Sequence, residues 1–191
     1  MVTIKKRKTQ DTWKKKKWYT VVAPKIFDEV EVGTTVADAD KKVLGRSIFV
    51  PLYNISKKAE HQFVKLKLKI KEIKGMTAHT ELVGFQLSND YIRRDIRRRR
   101  SMIRAIITFI LKDGKKVRVT AYAFTYHKIK TSQKDAIRKI MIDAIIEKAR
   151  GKSFETFVKD CAYGHYNKDI MKAIKVICPI RKVEIGKCKL V

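Results

Sequence analysis

The chain has 191 residues, with 46 Lys and Arg against 19 Asp and Glu, for a formal net charge of +27. Its 45% hydrophobic content excludes a wholly disordered polycation and suffices to bury a core. So large a charge opposes compaction unless a polyanion offsets it. Nucleic acid is the first candidate partner and an anionic membrane surface the second. No apolar run approaches the roughly 20 residues of a spanning helix.

The opening MVTIKKRKTQ lacks an apolar stretch after its basic start, so no secretory signal is expected. Residues 1–19 read as a basic tail, disordered when alone. Lys14, Lys15, Lys16 and Lys17 make its densest run. Trp18 closes that run and is expected to anchor the tail on the core, although an aromatic among cations can also stack on a base. Residues 20–127 read as mostly β. Val30-Glu31-Val32 opens one strand, Asp38 to Lys42 is a polar turn, and Ser47-Ile48-Phe49-Val50 is a second strand. In HQFVKLKLKIKEIKG, Val64, Leu66, Leu68 and Ile70 alternate with Lys65, Lys67, Lys69 and Lys71. A period of two gives a half-buried strand with a cationic outer face. MTAHTELVGFQL returns as its hairpin partner.

A helix capped by Asn89 or Asp90 is predicted from Asn89 to Arg100, with Tyr91, Ile92 and Ile96 at helical spacing. Asp113-Gly114 between two β-branched runs predicts a hairpin from Ile103 to Tyr126. Residues 128–178 read as helical. Ser132 to Arg150 carries apolar residues at three- and four-residue spacing, with Ser132 and Asp135 approximating a capping box. A second helix starts at Ser153 and a third runs from about Asn167 to Ile177. Residues 179–191 supply a closing strand. The whole of 20–191 is expected to form a single globular α+β domain. Its short antiparallel strands favour a central barrel-like body with flanking C-terminal helices.

Motifs of catalysis are absent: there is no GxSxG, HExxH or GxxxxGK followed by Ser or Thr. Asp38 and Asp40 could hold magnesium for a nuclease, but solvated turn carboxylates are the better reading, so no enzyme, cofactor or metal is expected. Cys161, Cys178 and Cys188 form no CxxC pair and read as buried, reduced thiols.

The basic residues are segregated by type. Of 13 arginines, Arg93, Arg94, Arg97, Arg98, Arg99, Arg100 and Arg104 fall within twelve residues. A guanidinium grips phosphate with two hydrogen bonds or stacks on a base, whereas an ammonium is a point charge. This cluster points to RNA. Lys128, Lys130, Lys134 and Arg138 surround a predicted helix start, where free N–H groups also favour phosphate. Tyr122, Phe124 and Tyr126 alternate along one strand and are either a stacking row or core.

Six segments in order resemble one family. They are KKKKWYTVVAPKIF, LGRSIFVPLYNI, FVKLKLKIKEIKG, GFQLSNDYIRRDIRRRRSMIRA, HKIKTSQKDAIRKIM and YGHYNKDIMKAIKVICPIRKVEIGKCK. The chain resembles the small-subunit ribosomal protein family called S-three-a in eukaryotes and S-one-e in universal naming, in its archaeal form. The resemblance implies a cytoplasmic structural constituent of the small ribosomal subunit, on the platform near the exit of messenger RNA. It implies ribosomal RNA and neighbouring ribosomal proteins as partners, messenger RNA as a further one, and no membrane. The RNA contacts it implies fall on Lys14 to Trp18, on the helix Arg93 to Arg100, and on Lys128 to Arg138. A non-ribosomal translation factor or RNA chaperone is the alternative.

Overall fold

The structure, a computed structural model, describes residues 13–191; the first part of the expected basic tail lies outside the described residues. The strands are β1 (Lys17–Val22), β2 (Glu31–Ala37), β3 (Ser47–Pro51), β4 (Val64–Lys74), β5 (Thr77–Leu87), β6 (Met102–Ile110), β7 (Lys116–Thr125) and β8 (Ile180–Leu190). The α-helices are α1 (Tyr53–Ser56), α2 (Asn89–Asp95), α3 (Thr131–Ala149), α4 (Phe154–Ala162) and α5 (Asn167–Ile174). The fold is α+β, as expected.

The strands follow the order β2-β1-β5-β8-β7-β6, and β4 pairs with β3 and β5. The path ends at β2 and β6, with no ladder between them. The barrel-like closure expected from the short strands is therefore not formed, and the sheet is open. In one part of the sheet α3 packs on β6, and α4 and α5 pack on β8. The antiparallel expectation also has an exception. β1 runs parallel to β5, pairing Thr20 with Thr77 and Val22 with His79. The long connection between them frees this pair from the hairpin constraint.

The chain divides into two compact units. One comprises the described residues up to Ser47 together with Lys69–Glu81. In it β1 and β2 pair antiparallel from Lys17↔Ala37. Alternation along β1 buries Tyr19 and Val21 and turns Trp18 outward, where it is 62% exposed. The anchor expected of Trp18 is thus supplied by its neighbour, because strand alternation puts Tyr19 on the inner face. The Tyr19 hydroxyl donates to Asp40 Oδ1 at 2.5 Å, and Asp38 pairs with Lys42 at 2.5 Å. Both turn carboxylates are held by the protein's own donors.

The other unit comprises Ile48–Leu68 and Leu82–Val191. β6 and β7 form the predicted hairpin, in register from Met102↔Phe124 to Ile110↔Lys116. Its Asp113 Oδ2 accepts from the Phe154 N–H at 2.8 Å, which ties the hairpin turn to the start of α4. Ile137, Met141, Ile145 and Ala149 are buried at four-residue steps along α3. Phe154, Phe157 and Val158 are fully buried beside them in the core. The α3 cap differs from expectation. The N-cap is Lys130, two residues before the expected Ser132, so Gln133 occupies the third position, and its Oε1 accepts from the Lys130 N–H at 3.2 Å.

A half-buried triad fixes the α4–α5 corner. Lys152 Nζ donates to Asp160 Oδ2 and to the Tyr166 oxygen, each at 2.6 Å. The Tyr166 hydroxyl donates to Asp160 Oδ2 at 2.5 Å. Burial pushes the Asp160 carboxyl up, but the Lys152 ammonium and Tyr166 hydroxyl outweigh it and hold it below the ordinary value. Burial also raises all three thiols, that of Cys188 to about 12. Cys161, Cys178 and Cys188 are free and buried. Iodoacetamide at neutral pH is expected to label none of them in the native protein and all three after unfolding. Mass spectrometry reads this directly, and stoichiometric native labelling of Cys161 or Cys188 would contradict the buried placement.

Candidate nucleic-acid interface

The β4 alternation appears in the structure as the sequence predicts. Val64, Leu66, Leu68 and Ile70 are buried, Lys65 and Lys69 are exposed, and Lys67 is half-buried. The Lys67 ammonium lies 5.9 Å from the centre of the exposed Phe49 ring.

The arginine cluster takes a different form from the one expected. α2 ends at Asp95, and Arg97–Arg100 lie beyond it in a turn. The chain is pinned on both sides. Asp95 is buried, with Arg181 and Lys182 each at 3.8 Å. Ser101 is bonded twice to Thr125, its N–H donating to the side-chain Oγ1 and its carbonyl accepting from the Thr125 N–H, both at 3.0 Å. A continued helix would also stack like charges at four-residue spacing. Arg97, Arg98 and Arg99 are exposed, and Arg100 is half-buried. None of the four makes an ion pair among the described residues. Arg99 adopts a φ of 61°, a left-handed conformation uncommon outside glycine.

On the outer face of β6, β7 and β8, a shallow cavity of about 310 Å³ is lined by Arg104, Arg118, Tyr122, Lys187 and Lys189 with Ile106 and Thr120. No carboxylate lines it. Strand register creates it: Arg118 stands opposite Lys189, and Thr120 opposite Lys187. Like charges directly opposed on neighbouring strands destabilise a sheet unless an anion lies between them. Here Arg118 Nε donates to Thr108 Oγ1 at 3.2 Å, a neutral partner. A second cavity of about 440 Å³ shares Tyr122 and Lys187 with the first and adds Lys65, Arg93 and Asp90. The two form one cationic surface.

The fold thus brings Lys65, Arg93 and Arg104 together, as members of the predicted set. Arg118, Lys187 and Lys189 join them and were missed. The alternation Lys187-Cys188-Lys189 lies within the closing strand expected over 179–191, but the face it joins is set by the pairing of β8 with β7. The aromatic row splits. A register shift after Phe124 breaks the alternation before Tyr126. Phe124 is core, Tyr126 is 50% exposed, and Tyr122 is half-buried on the cationic face. The Tyr122 ring lies over Gly186, where an added Cβ would meet its Cε2 at 2.2 Å.

The remaining predicted residues lie elsewhere. Arg94 is exposed and covers the Tyr91 ring at 4.9 Å. Lys128 and Lys130 are exposed before α3, Lys134 is half-buried, and Arg138 is ion-paired with Asp135. Lys14, Lys15 and Lys16 lie in or beside a short 3-10 helix, and Lys17 and Trp18 open β1. Lys16 Nζ sits 4.3 Å from the Trp13 ring centre.

These features define a basic α+β protein whose arginines and lysines gather on a sheet face and an adjoining turn. Residues 4–191 match the ribosomal S3Ae family, and the chain belongs to that family. It is 38% identical over 190 residues to the small ribosomal subunit protein eS1 of Staphylothermus marinus, covering 100% of this chain and 90% of that one. It is 39% identical to the proteins of the same name from Saccharolobus islandicus and Aeropyrum pernix. Those matches cover 95% of this chain and 87% and 86% of theirs.

Proposed function

We propose that the protein is a structural constituent of the small ribosomal subunit in the cytoplasm, bound to ribosomal RNA on the platform near the messenger RNA exit. The role is architectural. Lysines neutralise phosphates and release counterions, and arginines set register on the RNA backbone. The observation that carries this reading is the carboxylate-poor surface running from Lys65 and Arg93 through Tyr122 to Arg118 and Lys189. Arg97, Arg98, Arg99 and Arg100 extend it by grip rather than by shape. Lys14 to Trp18, Lys67, Lys69, Lys128, Lys130, Lys134 and Arg138 supply further contacts, with neighbouring ribosomal proteins and messenger RNA as additional partners.

Sedimentation tests the reading. Tagged protein expressed in its native cell should co-migrate with the small subunit at a stoichiometry of about one and stay bound through a high-salt wash. Release at moderate salt would favour an RNA chaperone or translation factor instead.

A further inference from the structure

β6 ends the sheet, and among the described residues no strand pairs with its outer edge. Hydrogen bonds at its two ends fix which groups face that edge. The Thr125 N–H donates to the Ser101 carbonyl at 3.0 Å, and the Leu111 N–H to the Lys115 carbonyl at 3.1 Å. Both pairs continue the β6–β7 register, and bonded pairs recur at every second residue of an antiparallel ladder. The bonded positions of β6 are therefore Ile103, Ala105, Ile107 and Phe109. The N–H and C=O groups of Met102, Arg104, Ile106, Thr108 and Ile110 point off the open edge. Among the described residues no group of the protein bonds them.

The outer row is accessible. Met102 is 40%, Ile106 50% and Ile110 69% exposed, whereas Ile103 and Ala105 are buried. α3, which packs on β6, therefore lies against the face of Ile103 and Ala105 and leaves that of Ile106 bare. Native sheets blunt such an edge with a proline, a bulge, a short strand or several charges. The other terminal strands do so. β3 has five residues and carries Pro51. On β2 the Val36 carbonyl is capped by Arg46 Nη1 at 2.9 Å. β6 has nine residues, no proline, no register shift against β7, and Arg104 as its one charge.

The chemistry of the edge selects its occupant. Alternating N–H and C=O groups beside an apolar row match an extended peptide. A phosphate backbone would use the donors and leave Met102, Ile106 and Ile110 uncovered. A second copy would bring Arg104, Arg118 and Lys189 of both molecules onto one sheet face, between chains of +27 each. A strand that carries a carboxylate removes that repulsion.

We infer that the open edge of β6 receives an extended segment of another protein as an added strand, with apolar side chains over Met102, Ile106 and Ile110 and a carboxylate against Arg104. The strand takes the edge beside the cationic face, so the inference does not depend on RNA binding there.

NMR titration of the 15N-labelled full chain tests it. The probe is a nine-residue peptide of alternating valine and threonine, with one glutamate placed to oppose Arg104 in an antiparallel pairing. The amides of Arg104, Ile106 and Thr108 should shift downfield to saturation, and those of Ala105 and Ile107 should move less. Changing the glutamate to lysine should weaken binding about tenfold. N-methylating the peptide amide that meets the Ile106 carbonyl should cost about as much. Ile106→Pro removes an outward N–H and no β6–β7 bond, so it should fold and lose binding. The methylated peptide keeps the test independent of whether that variant folds. Unmoved edge amides, or equal binding of the methylated peptide, overturn the inference. So does the appearance of the same shifts with rising protein concentration alone, which would make a second copy the occupant, or with oligo-U in place of the peptide, which would make it RNA.

Discussion

Replacing Arg97, Arg98, Arg99 and Arg100 together by alanine is expected to weaken binding to ribosomal RNA on the order of 100-fold at low salt. Four surface charge contacts at roughly 0.7 kcal/mol each sum to about 2.8 kcal/mol. Each lost phosphate contact should flatten the plot of log K against log salt by about 0.7 to 0.9. The full variant should therefore lose about three units of slope. The same substitution should leave the melting temperature unchanged or raise it. Arg97, Arg98 and Arg99 are exposed, none of the four arginines makes an ion pair among the described residues, and their removal relieves self-repulsion. Filter binding at several salt concentrations, with a thermal melt of the same samples, separates the two effects. An unchanged slope would remove these arginines from the interface. A lower melting temperature would show that they serve the fold instead.

Gly84→Ala is expected to cost about 3–5 kcal/mol of stability, or roughly 10 °C or more in melting temperature. Gly84 pairs with Lys189 in the short ladder that joins β5 to β8. Its φ is +154°, and a Cβ there would lie 2.1 Å from the Cys188 carbonyl oxygen and 3.0 Å from the Lys189 Cα. Both obstacles are backbone, so no rotamer change relieves the clash. Gly33→Ala is the control: nothing lies within 4 Å of its added Cβ, and it should be near neutral. Calorimetry on the two variants gives the comparison. Equal melting temperatures would mean that the β5–β8 ladder can shift to admit a side chain.

Short-range order was legible in the sequence wherever one local rule acted alone. The Val64–Ile70 alternation, the Asp113-Gly114 hairpin and the apolar spacing of α3 each need only a few neighbouring residues, and each appears in the structure. The rules failed where two constraints met. The predicted helix from Asn89 to Arg100 stops at Asp95 because that carboxylate is held by Arg181 and Lys182, some 86 residues away in sequence, which no local pattern reports. Trp18 and Tyr19 are adjacent aromatics, and only the register of β1 with β2 decides which is buried. The register shift after Phe124 likewise depends on β8 and separates buried Phe124 from exposed Tyr126.

The same distinction separates charge from site. Composition and arginine clustering sufficed to require a polyanionic partner, since a net charge of +27 needs no coordinates to exert its repulsion. Ordered motifs sufficed for the family. Tertiary structure alone decided which cations act together. Lys65, Arg93, Arg118 and Lys189 are distant along the chain and meet because antiparallel pairing places β7 beside β8 and sets its register. It also decided that the sheet stays open, because α3, α4 and α5 bury the face that a closed barrel would have buried against itself. Periodicity states that a face is apolar; what covers that face is a long-range choice made by packing.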